Sequence, residues 1–446
     1  MGKTRSATLR LGGGSAFFND RLDAALELVE RGGIDVLILE TLAERTLALL
    51  HVAKNAGGPG YWPRLRDRLE ILLPACARHG VRLVSNGGGA DPLGAARMAL
   101  EIVTAAGLNL KVAAVTGDDV AGLVRSRDPV LTETGAPLSA LGMPALASNA
   151  YLGADAIAAA YAAGADVILT GRVTDSALAL GPLLAHHGWA AEDLDRLAAG
   201  VMTGHLLECG GQATGGYFAE PGLKDVPDLD RLGFPIAEVD ASGTITLSKP
   251  EGSGGRVDRH TITEQLLYEV HDPSAYLTPD VVLDLSEVEI EEIGQDVVRL
   301  TGARGRQPPD TLKTLIGVDS GVLVEAEISY GGINAEARLR LAAETVRRRI
   351  ARLPGLGNAP IRFDAIGIDS LWSLPGEGRY EDLRLRVAAR VATTRQAEAI
   401  VTEVESLYVN GPAGGGGVRF ATRPTIRTYT AFLPRAQVRP IWSFVA

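Results

Sequence analysis

The sequence predicts an α/β fold, in which a mostly parallel sheet with flanking helices is followed by a ferredoxin-like α+β domain. Over the first 185 residues, short β-branched apolar runs alternate with longer helical patterns. This alternation is typical of parallel strands joined by helices that cover both faces of a sheet. From about residue 306 onward the order becomes β-α-β-β-α-β, the split arrangement of ferredoxin-like units. Periodicity does not distinguish an open sheet from a closed barrel in the first region.

The elements of the first region follow from the length of the apolar runs. Runs such as IDVLIL and DVILTG suit buried strands and are much shorter than the ~20 residues of a membrane span. We predict strands in SATLRL, IDVLIL, VRLVSN, LKVAAVTG and DVILTG, and helices at residues 20–30, 92–106 and 154–163, with two further helical stretches that reach residue 78.

The second region begins in TGARGRQPPD, where Gly, Arg and Pro crowd together. We therefore predict an α/β domain over residues 1–307, which carries the active-site cleft and has a segment of mixed structure at residues 189–307. The ferredoxin-like domain is predicted over residues 308–446. Its strands are expected at residues 321–330, 361–368, 383–391 and 425–432, and its helices at residues 334–353 and 395–408.

Composition narrows the function classes. The 446 residues carry a formal net charge of −10, so the chain lacks the basic surface that nucleic-acid binding requires. Cys76 and Cys209 lie far apart and in no metal-binding spacing, which argues against a disulfide framework. With neither a signal peptide nor a membrane span evident, we expect a cytoplasmic protein. Fold-level analogy favours a homo-oligomer.

Glycine-rich and polar clusters follow several predicted strands, and ligands of open parallel sheets bind beyond the carboxyl ends of the strands. The clusters are LGGGSAFFNDR, SNGGGADP, TGDD, TGRVTDSA and GHLLECGGQATGG. In the first, Gly13, Gly14 and Ser15 could cradle an anionic substrate group through backbone N–H donors, or form a tight turn. The cluster matches neither G-x-G-x-x-G nor the P-loop, so no nucleotide-cofactor motif is found.

Two further clusters offer substrate contacts. Asn86 and Asp91 could hold a substrate, or Asp91 could simply cap the helix that begins at Pro92. Arg172 follows a buried strand, where a guanidinium needs an anionic partner. That partner is either the substrate or Asp175, three residues further on, in an internal brace.

GHLLECGGQATGG combines the most reactive side chains. On a helix, His205 and Glu208 share a face at i and i+3, which suits an acid/base pair or two metal ligands, with Asp175 as a third. Cys209 is a candidate nucleophile or a small buried side chain. Asn86 or Gln212 could polarise a substrate carbonyl group.

These segments closely resemble the acyclic terpene utilisation (AtuA-like) family. The matching stretches cover nearly the whole chain and are the amino-terminal glycine-rich turn with Asp20, SNGGGADP, TGDD, SNAYLGADAI, TGRVTDSALALGPL, GHLLECGGQATGGYF, TEQLLYE, HDPSAYLTPDV and YVNGPAGGGGVR. The resemblance implies a pathway such as citronellol and geraniol breakdown, where branched acyl-CoA thioesters are carboxylated, hydrated and cleaved.

We expect an enzyme, and three hypotheses follow. The first is a lyase or hydro-lyase that acts on a branched acyl-CoA-type thioester, with His205 and Glu208 transferring protons and Arg172 anchoring an anion. The second is a hydrolase or acyltransferase that uses Cys209. The third is a non-catalytic accessory subunit of a partner enzyme. Whether a divalent metal takes part is left open.

Overall fold

The computed structural model describes residues 6–370 and 382–446. The chain divides into two units, Met1–Gly317 with Thr428–Ala446, and Val318–Arg427. The predicted boundary between residues 307 and 308 lies before the observed one between Gly317 and Val318. The last residues of the chain, Thr428–Ala446, belong to the first unit and not to the second. They belong there because the final strand pairs with a strand of the first unit's sheet.

The strands are β1 (Thr8–Gly13), β2 (Val36–Leu39), β3 (Arg82–Ser85), β4 (Val112–Thr116), β5 (Ala145–Ala150), β6 (Val167–Thr170), β7 (Ile236–Asp240), β8 (Ile245–Ser248), β9 (Tyr276–Leu277), β10 (Val282–Asp284), β11 (Glu289–Gly294), β12 (Val297–Thr301), β13 (Arg304–Arg306), β14 (Thr311–Gly331), β15 (Ile361–Ile366), β16 (Asp382–Val391), β17 (Gly415–Pro434) and β18 (Ile441–Phe444). The helices are α1 (Leu22–Arg31), α2 (Glu44–Asn55), α3 (Leu65–His79), α4 (Pro92–Ala105), α5 (Ala121–Arg127), α6 (Asp155–Ala162), α7 (Ala177–His187), α8 (Leu194–Leu207), α9 (Arg259–Leu267), α10 (Ala335–Ile350), α11 (Thr394–Glu405) and α12 (Leu407–Asn410).

The large sheet of the first unit is open. Within the described residues its strand order is β11-β12-β8-β7-β1-β2-β3-β6-β4-β18. The central strands from β1 to β4 pair in parallel, which confirms the predicted parallel sheet, and antiparallel strands extend it at both ends. The choice between barrel and open sheet, which the sequence left undecided, is settled by the two edge strands β11 and β18.

Helices cover both faces of this sheet, as predicted. One face buries α1, α3 and α4 in a single apolar cluster. In α1 the buried side chains are Ala24, Ala25, Leu28 and Val29, a helical spacing that turns one stripe toward the sheet. The other face carries α6, α7 and α8. At Gly204 in α8, a Cβ atom would lie 2.4 Å from the Cα of Ser176, so only glycine allows α8 to pack this closely against the start of α7.

The segment of mixed structure at residues 189–307 has two parts. It contributes the antiparallel strands β7, β8, β11 and β12 to the large sheet, and it contains the helices α8 and α9. It also forms a three-stranded sheet in the order β13-β10-β9. No helix among residues 6–370 and 382–446 combines the length and the apolarity needed to cross a bilayer.

The second unit contains the β-α-β-β-α-β order that the sequence predicts. Its strands lie in the order β15-β16-β14-β17, and α10 and α11 pack on them over a separate apolar core. The predicted strand at residues 425–432 is the later part of β17, which runs past the division at Thr428. The ferredoxin-like assignment of this unit stays a prediction.

Candidate functional site

The residues that directly follow the parallel strands β2, β3 and β6 lie at one edge of the sheet. β2 ends at Leu39, β3 at Ser85 and β6 at Thr170, so Glu40, Asn86 and the loop from Gly171 emerge side by side. A cavity of about 630 Å³ opens at this edge. Its carboxyl, cationic and aromatic lining residues are Glu40, Glu44, Asp175, Glu208, Glu269, Arg172, Lys313, Phe17, Tyr151, Tyr268, Tyr276 and Phe432.

Arg172 is fully buried and forms the internal brace with Asp175. The guanidinium pairs with Asp175 Oδ1, its Nε donates to the Val173 carbonyl at 2.7 Å, and its Nη1 donates to the Leu42 carbonyl. It also lies 4.7 Å from the centre of the Tyr151 ring. Arg172 lines the cavity, and its bonds to Asp175, Val173 and Leu42 hold these neighbouring loops in place.

Asp118 holds the loop that carries Arg172 in place. Asp118 Oδ2 accepts the backbone N–H of Arg172 at 2.8 Å and the side-chain amide of Asn149, also at 2.8 Å. Burial raises the pKa of Asp118 to about 6, although these two donors oppose the rise. Asp118 of the TGDD cluster therefore supports the Arg172 loop without lining the cavity.

Asn86 links two carboxyl groups. Its Nδ2 donates to Glu40 Oε1 at 2.9 Å and, more weakly, to Asp175 Oδ1 at 3.4 Å. Its Oδ1 accepts the backbone N–H of Thr41 at 2.8 Å, which fixes the amide orientation. Asn86 itself is fully buried and does not line the cavity, so its role is to position the carboxyl groups and not to contact a ligand.

Both linked carboxyl groups hold protons more tightly than usual. Burial raises the pKa of Glu40 to about 8, and the charge of Asp175 adds to this rise while Arg172 opposes it. Burial also raises the pKa of Asp175 to about 6, where Arg172 opposes the rise and the Glu208 carboxylate adds to it. The pKa is raised further in Glu40 than in Asp175, and this is the direction of difference that an acid/base pair needs.

His205 and Glu208 are adjacent, as their spacing predicts, but only Glu208 lines the cavity. His205 Nδ1 lies 2.9 Å from Glu208 Oε1, and Nε2 lies 3.3 Å from the Leu266 carbonyl. Burial lowers the pKa of His205, but the bonds to these acceptors and the charge of Glu208 outweigh it, so the pKa is raised. Because acceptors occupy both ring nitrogens, His205 orients Glu208 and does not face a substrate.

Cys209 and Gln212 line the cavity next to Glu208. Burial raises the pKa of the Cys209 thiol, and the charge of Glu208 raises it further. A nucleophilic cysteine needs the opposite environment, which stabilises a thiolate.

Four predicted substrate contacts have structural roles instead. At Gly13, a Cβ atom would lie 2.3 Å from the Leu207 carbonyl oxygen, and Gly14 donates to the Ile38 carbonyl at 2.8 Å. Ser15 Oγ donates to the Glu40 carbonyl at 2.7 Å. Asp91 caps α4 by accepting the N–H of Gly94 at 3.1 Å. None of the four lines the cavity. Gly13, Gly14 and Ser15 are packed against β2, the residue after it and α8, and Asp91 is engaged at the start of α4.

Several cavity residues were missed by the sequence analysis. Tyr151 donates its hydroxyl to Glu44 Oε1 at 2.6 Å, and Lys313 Nζ lies 3.3 Å from the same oxygen. Burial would raise the pKa of Glu44, but the Tyr151 hydrogen bond and the charge of Lys313 lower it to about 2. Glu40 had a usable signal, since it directly follows the IDVLIL strand. Lys313 had none, because it lies far along the chain.

The residues considered for a metal do not assemble into a metal site. Throughout the described part of the chain, no group of three or more His, Cys, Asp or Glu side chains is arranged to hold a metal ion. His205 already has both nitrogens engaged.

The fold and the cavity define an α/β protein with a pair of amide-linked carboxyl groups in a cavity at the carboxyl-end edge of its sheet. The model of the acyclic terpene utilisation family protein AtuA matches residues 9–444, so this chain belongs to that family. No curated protein matches the chain. Among solved structures, the de novo designed protein Ferredog-Diesel is 21% identical over 23% of this chain and 85% of its own length, with a TM-score of 0.16.

Proposed function

We propose that this chain is a hydro-lyase or lyase that acts on a branched acyl-CoA-type thioester in acyclic terpene utilisation. The observation that supports it is the Asn86 amide, whose Nδ2 donates to both Glu40 and Asp175 in the wall of the cavity. Addition or removal of water next to a thioester requires one group that gives a proton and one that takes a proton. Glu40 and Asp175 differ in pKa in the direction that this division requires.

The proposed hydration proceeds as follows. Ionised Asp175 takes a proton from water while the water oxygen bonds to the β-carbon of an enoyl thioester. The electrons of the C=C bond move toward the thioester carbonyl oxygen, and the α-carbon then takes the proton of Glu40. Proton exchange with solvent restores both carboxyl groups. Dehydration is the same sequence in reverse.

The lining accommodates both ends of such a substrate. Phe17, Leu312 and Phe432 offer an apolar wall for a branched acyl chain, and the Gln212 amide lines the cavity where it can donate to a carbonyl oxygen. The Lys313 side chain is 45% exposed and can meet the anionic groups of coenzyme A. In this proposal Lys313 replaces Arg172 as the anion contact. Both cations are paired with a carboxylate, but the Arg172 side chain is only 1% exposed.

The test is incubation of the purified protein with branched enoyl-CoA thioesters in H₂¹⁸O and in D₂O, followed by mass spectrometry. The proposal expects a product that carries one ¹⁸O on the β-carbon and one deuterium on the α-carbon. Hydrolysis to the free acid, with ¹⁸O in the carboxyl group, would replace the proposal with a hydrolase. Failure of every branched thioester to react would overturn it.

We also propose that Val318–Arg427 is a ferredoxin-like unit. The β-α-β-β-α-β order and the arrangement β15-β16-β14-β17 support this. An experimental structure in which this sheet has another order, or in which α10 and α11 lie on opposite faces, would contradict it.

A further inference from the structure

Tyr276 lines the cavity, and the proposed hydration gives it no role. It lies in β9, where it pairs with Leu283 of β10. Its ring packs against His205, with the two ring centres 5.3 Å apart. The His205 ring is buried and is held by its contact with Glu208. The Tyr276 ring therefore packs on a side chain that is itself fixed, at the wall of the cavity.

The Tyr276 hydroxyl differs from those of the two other tyrosines in the cavity wall. Tyr151 donates to Glu44 Oε1 at 2.6 Å, and the Tyr268 hydroxyl is hydrogen-bonded to Glu269. The Tyr276 hydroxyl has no hydrogen-bond partner among residues 6–370 and 382–446. A phenol in a cavity wall is a strong donor, so this one is available to a bound ligand.

The surroundings of the Tyr276 hydroxyl are acidic. Burial raises the pKa of Tyr276, and the charges of Glu208, Asp175 and Glu269 raise it further. The phenol therefore keeps its proton over the whole range in which the two proposed catalytic carboxyl groups titrate. Since charges act more strongly at short range, the hydroxyl lies in the same region of the cavity as Asp175. Negative charge that develops on a ligand there needs a hydrogen-bond donor to balance it.

We propose that Tyr276 is a catalytic residue whose hydroxyl donates a hydrogen bond to the carbonyl oxygen of the substrate thioester. This inference rests on the proposed function. As the water oxygen bonds to the β-carbon, the electrons of the C=C bond move toward the carbonyl oxygen, and the hydrogen bond from Tyr276 strengthens. The phenol keeps its proton, and no bond to Tyr276 forms or breaks. Gln212, in the same cavity wall, is the second donor to this oxygen.

The first test is the kinetics of Tyr276→Phe, which keeps the ring and removes only the hydroxyl. Because the hydrogen bond is strongest in the transition state, kcat should fall by about 10²–10³-fold, whereas KM should change only a few-fold. Both limbs of the kcat/KM profile should stay at the wild-type pH, since the carboxyl groups are unchanged. A wild-type kcat, or limbs displaced in pH, would overturn the proposal.

The matched control is Tyr330→Phe. The Tyr330 hydroxyl is buried and has no partner in the described part of the chain, but it lies in the apolar core of the second unit. Its removal makes the same chemical change away from the cavity and should leave kcat unchanged. An equal loss of kcat in both variants would show that the effect of Tyr276→Phe does not come from the cavity.

The second test requires no turnover. A conjugated dienoyl-CoA thioester absorbs at longer wavelength when its carbonyl group is polarised, so its band should shift to the red on binding to the wild type and to Tyr330→Phe. Tyr276→Phe should bind it with most of that shift lost. An equal shift in Tyr276→Phe, or no shift with the wild type, would overturn the role of Tyr276. A shift that depends on Tyr276, together with no reaction of any branched enoyl thioester, would instead overturn the hydro-lyase and retain the carbonyl contact.

Discussion

Glu40 and Asp175 show how position, and not residue type, gives a carboxyl group its chemistry. Glu40 is 8% exposed, whereas the Asp175 side chain is 34% exposed. The two share one amide donor, and Asp175 also contacts the Arg172 guanidinium. The Arg172 charge opposes the rise in pKa at both carboxyl groups, and at Asp175 it does so through a direct ion pair. Glu44 lines the same cavity, but Tyr151 and Lys313 stabilise its charge, and its pKa is low.

Asp175→Asn should lower kcat by about 10²–10⁴-fold, because the amide cannot take a proton. Asp91→Asn is the matched control: it makes the same chemical change at a helix cap outside the cavity, where Asn caps about as well as Asp. Its kcat should equal that of the wild type. Steady-state assays of both variants check this, and equal losses would remove Asp175 from the mechanism.

Cys209→Ser should keep activity within a few-fold of the wild type. Burial and the Glu208 charge hold the thiol protonated, so the reaction does not depend on a thiolate. Turnover and alkylation by iodoacetamide are the measurements. Complete loss of turnover, together with rapid stoichiometric alkylation of wild-type Cys209, would restore the nucleophile hypothesis.

The rate should depend on pH as a bell-shaped curve. It should fall as the pH drops through about 6, where Asp175 takes up a proton, and fall again as the pH rises through about 8, where Glu40 loses its proton. A kcat/KM profile of the wild type measures both limbs. A rate that stays constant from pH 5 to 9 would show that neither group transfers the proton.

Glu40 should also make the fold less stable as the pH rises. The unfolded chain loses this proton near the ordinary value of 4.5, and the folded chain keeps it up to about 8; between these values, stability therefore falls with increasing pH. Glu40→Gln should remove this loss and raise the free energy of unfolding at pH 8, with little effect at pH 4.

Glu44→Gln is the opposite case. The folded-state pKa of Glu44 is lowered to about 2, so its stabilising contribution is present above the ordinary value and is lost as the pH falls toward 2. The variant should therefore be less stable than the wild type at pH 7. Urea unfolding of both variants at several pH values measures the two signs, and a stabilised Glu44→Gln protein would contradict the assignment.

At the scale of elements, close helix packing places the site. α8 carries His205 at the position after Gly204, and the lack of a side chain at Gly204 lets α8 approach the start of α7. α7 in turn follows the Arg172–Asp175 loop. The distance between these two helices thus sets where Glu208 stands relative to Asp175.

Gly204→Ala should destabilise the protein by about 1–3 kcal/mol, because its Cβ would overlap the backbone of Ser176. Gly122→Ala, in α5, is the matched control, since no atom lies within 4 Å of its added Cβ. That change should stabilise the protein by roughly 0.5–1 kcal/mol through helix propensity. Denaturant unfolding of the two variants distinguishes packing from propensity, and equal effects would rule out the packing explanation.

The division of the molecule into two units does not follow the order of the chain, because the first unit is formed by two separate stretches of sequence. The last strand, β18, pairs with β4 from Ile441 opposite Thr116 to Phe444 opposite Ala113, so the first unit is built from both ends of the chain. The second unit has its own apolar core.

A fragment of residues 318–427 should therefore fold alone and unfold cooperatively on heating. The fragment of residues 308–446, cut at the boundary that the sequence suggested, carries β18 without β4 and should aggregate more readily, because an unpaired strand is exposed. Circular dichroism and size-exclusion chromatography of both fragments test this. A fragment 318–427 without a cooperative transition would contradict it.

Hydrophobic periodicity and long motifs are local properties of the chain, so they were enough to predict the parallel strands, the helices on both faces, the β-α-β-β-α-β order and the family. The polar clusters also indicated that Arg172, Asp175 and Glu208 share one site. Arg172 and Asp175 follow the end of β6, and Glu208 follows the end of α8. Three-dimensional contacts were needed to show that His205 pairs with Glu208 behind the cavity lining, that Gly13 and Asp91 serve packing and capping, and that Glu40 and Lys313 line the same cavity. Burial and long-range contacts set those roles, and they depend on residues that are remote in the sequence.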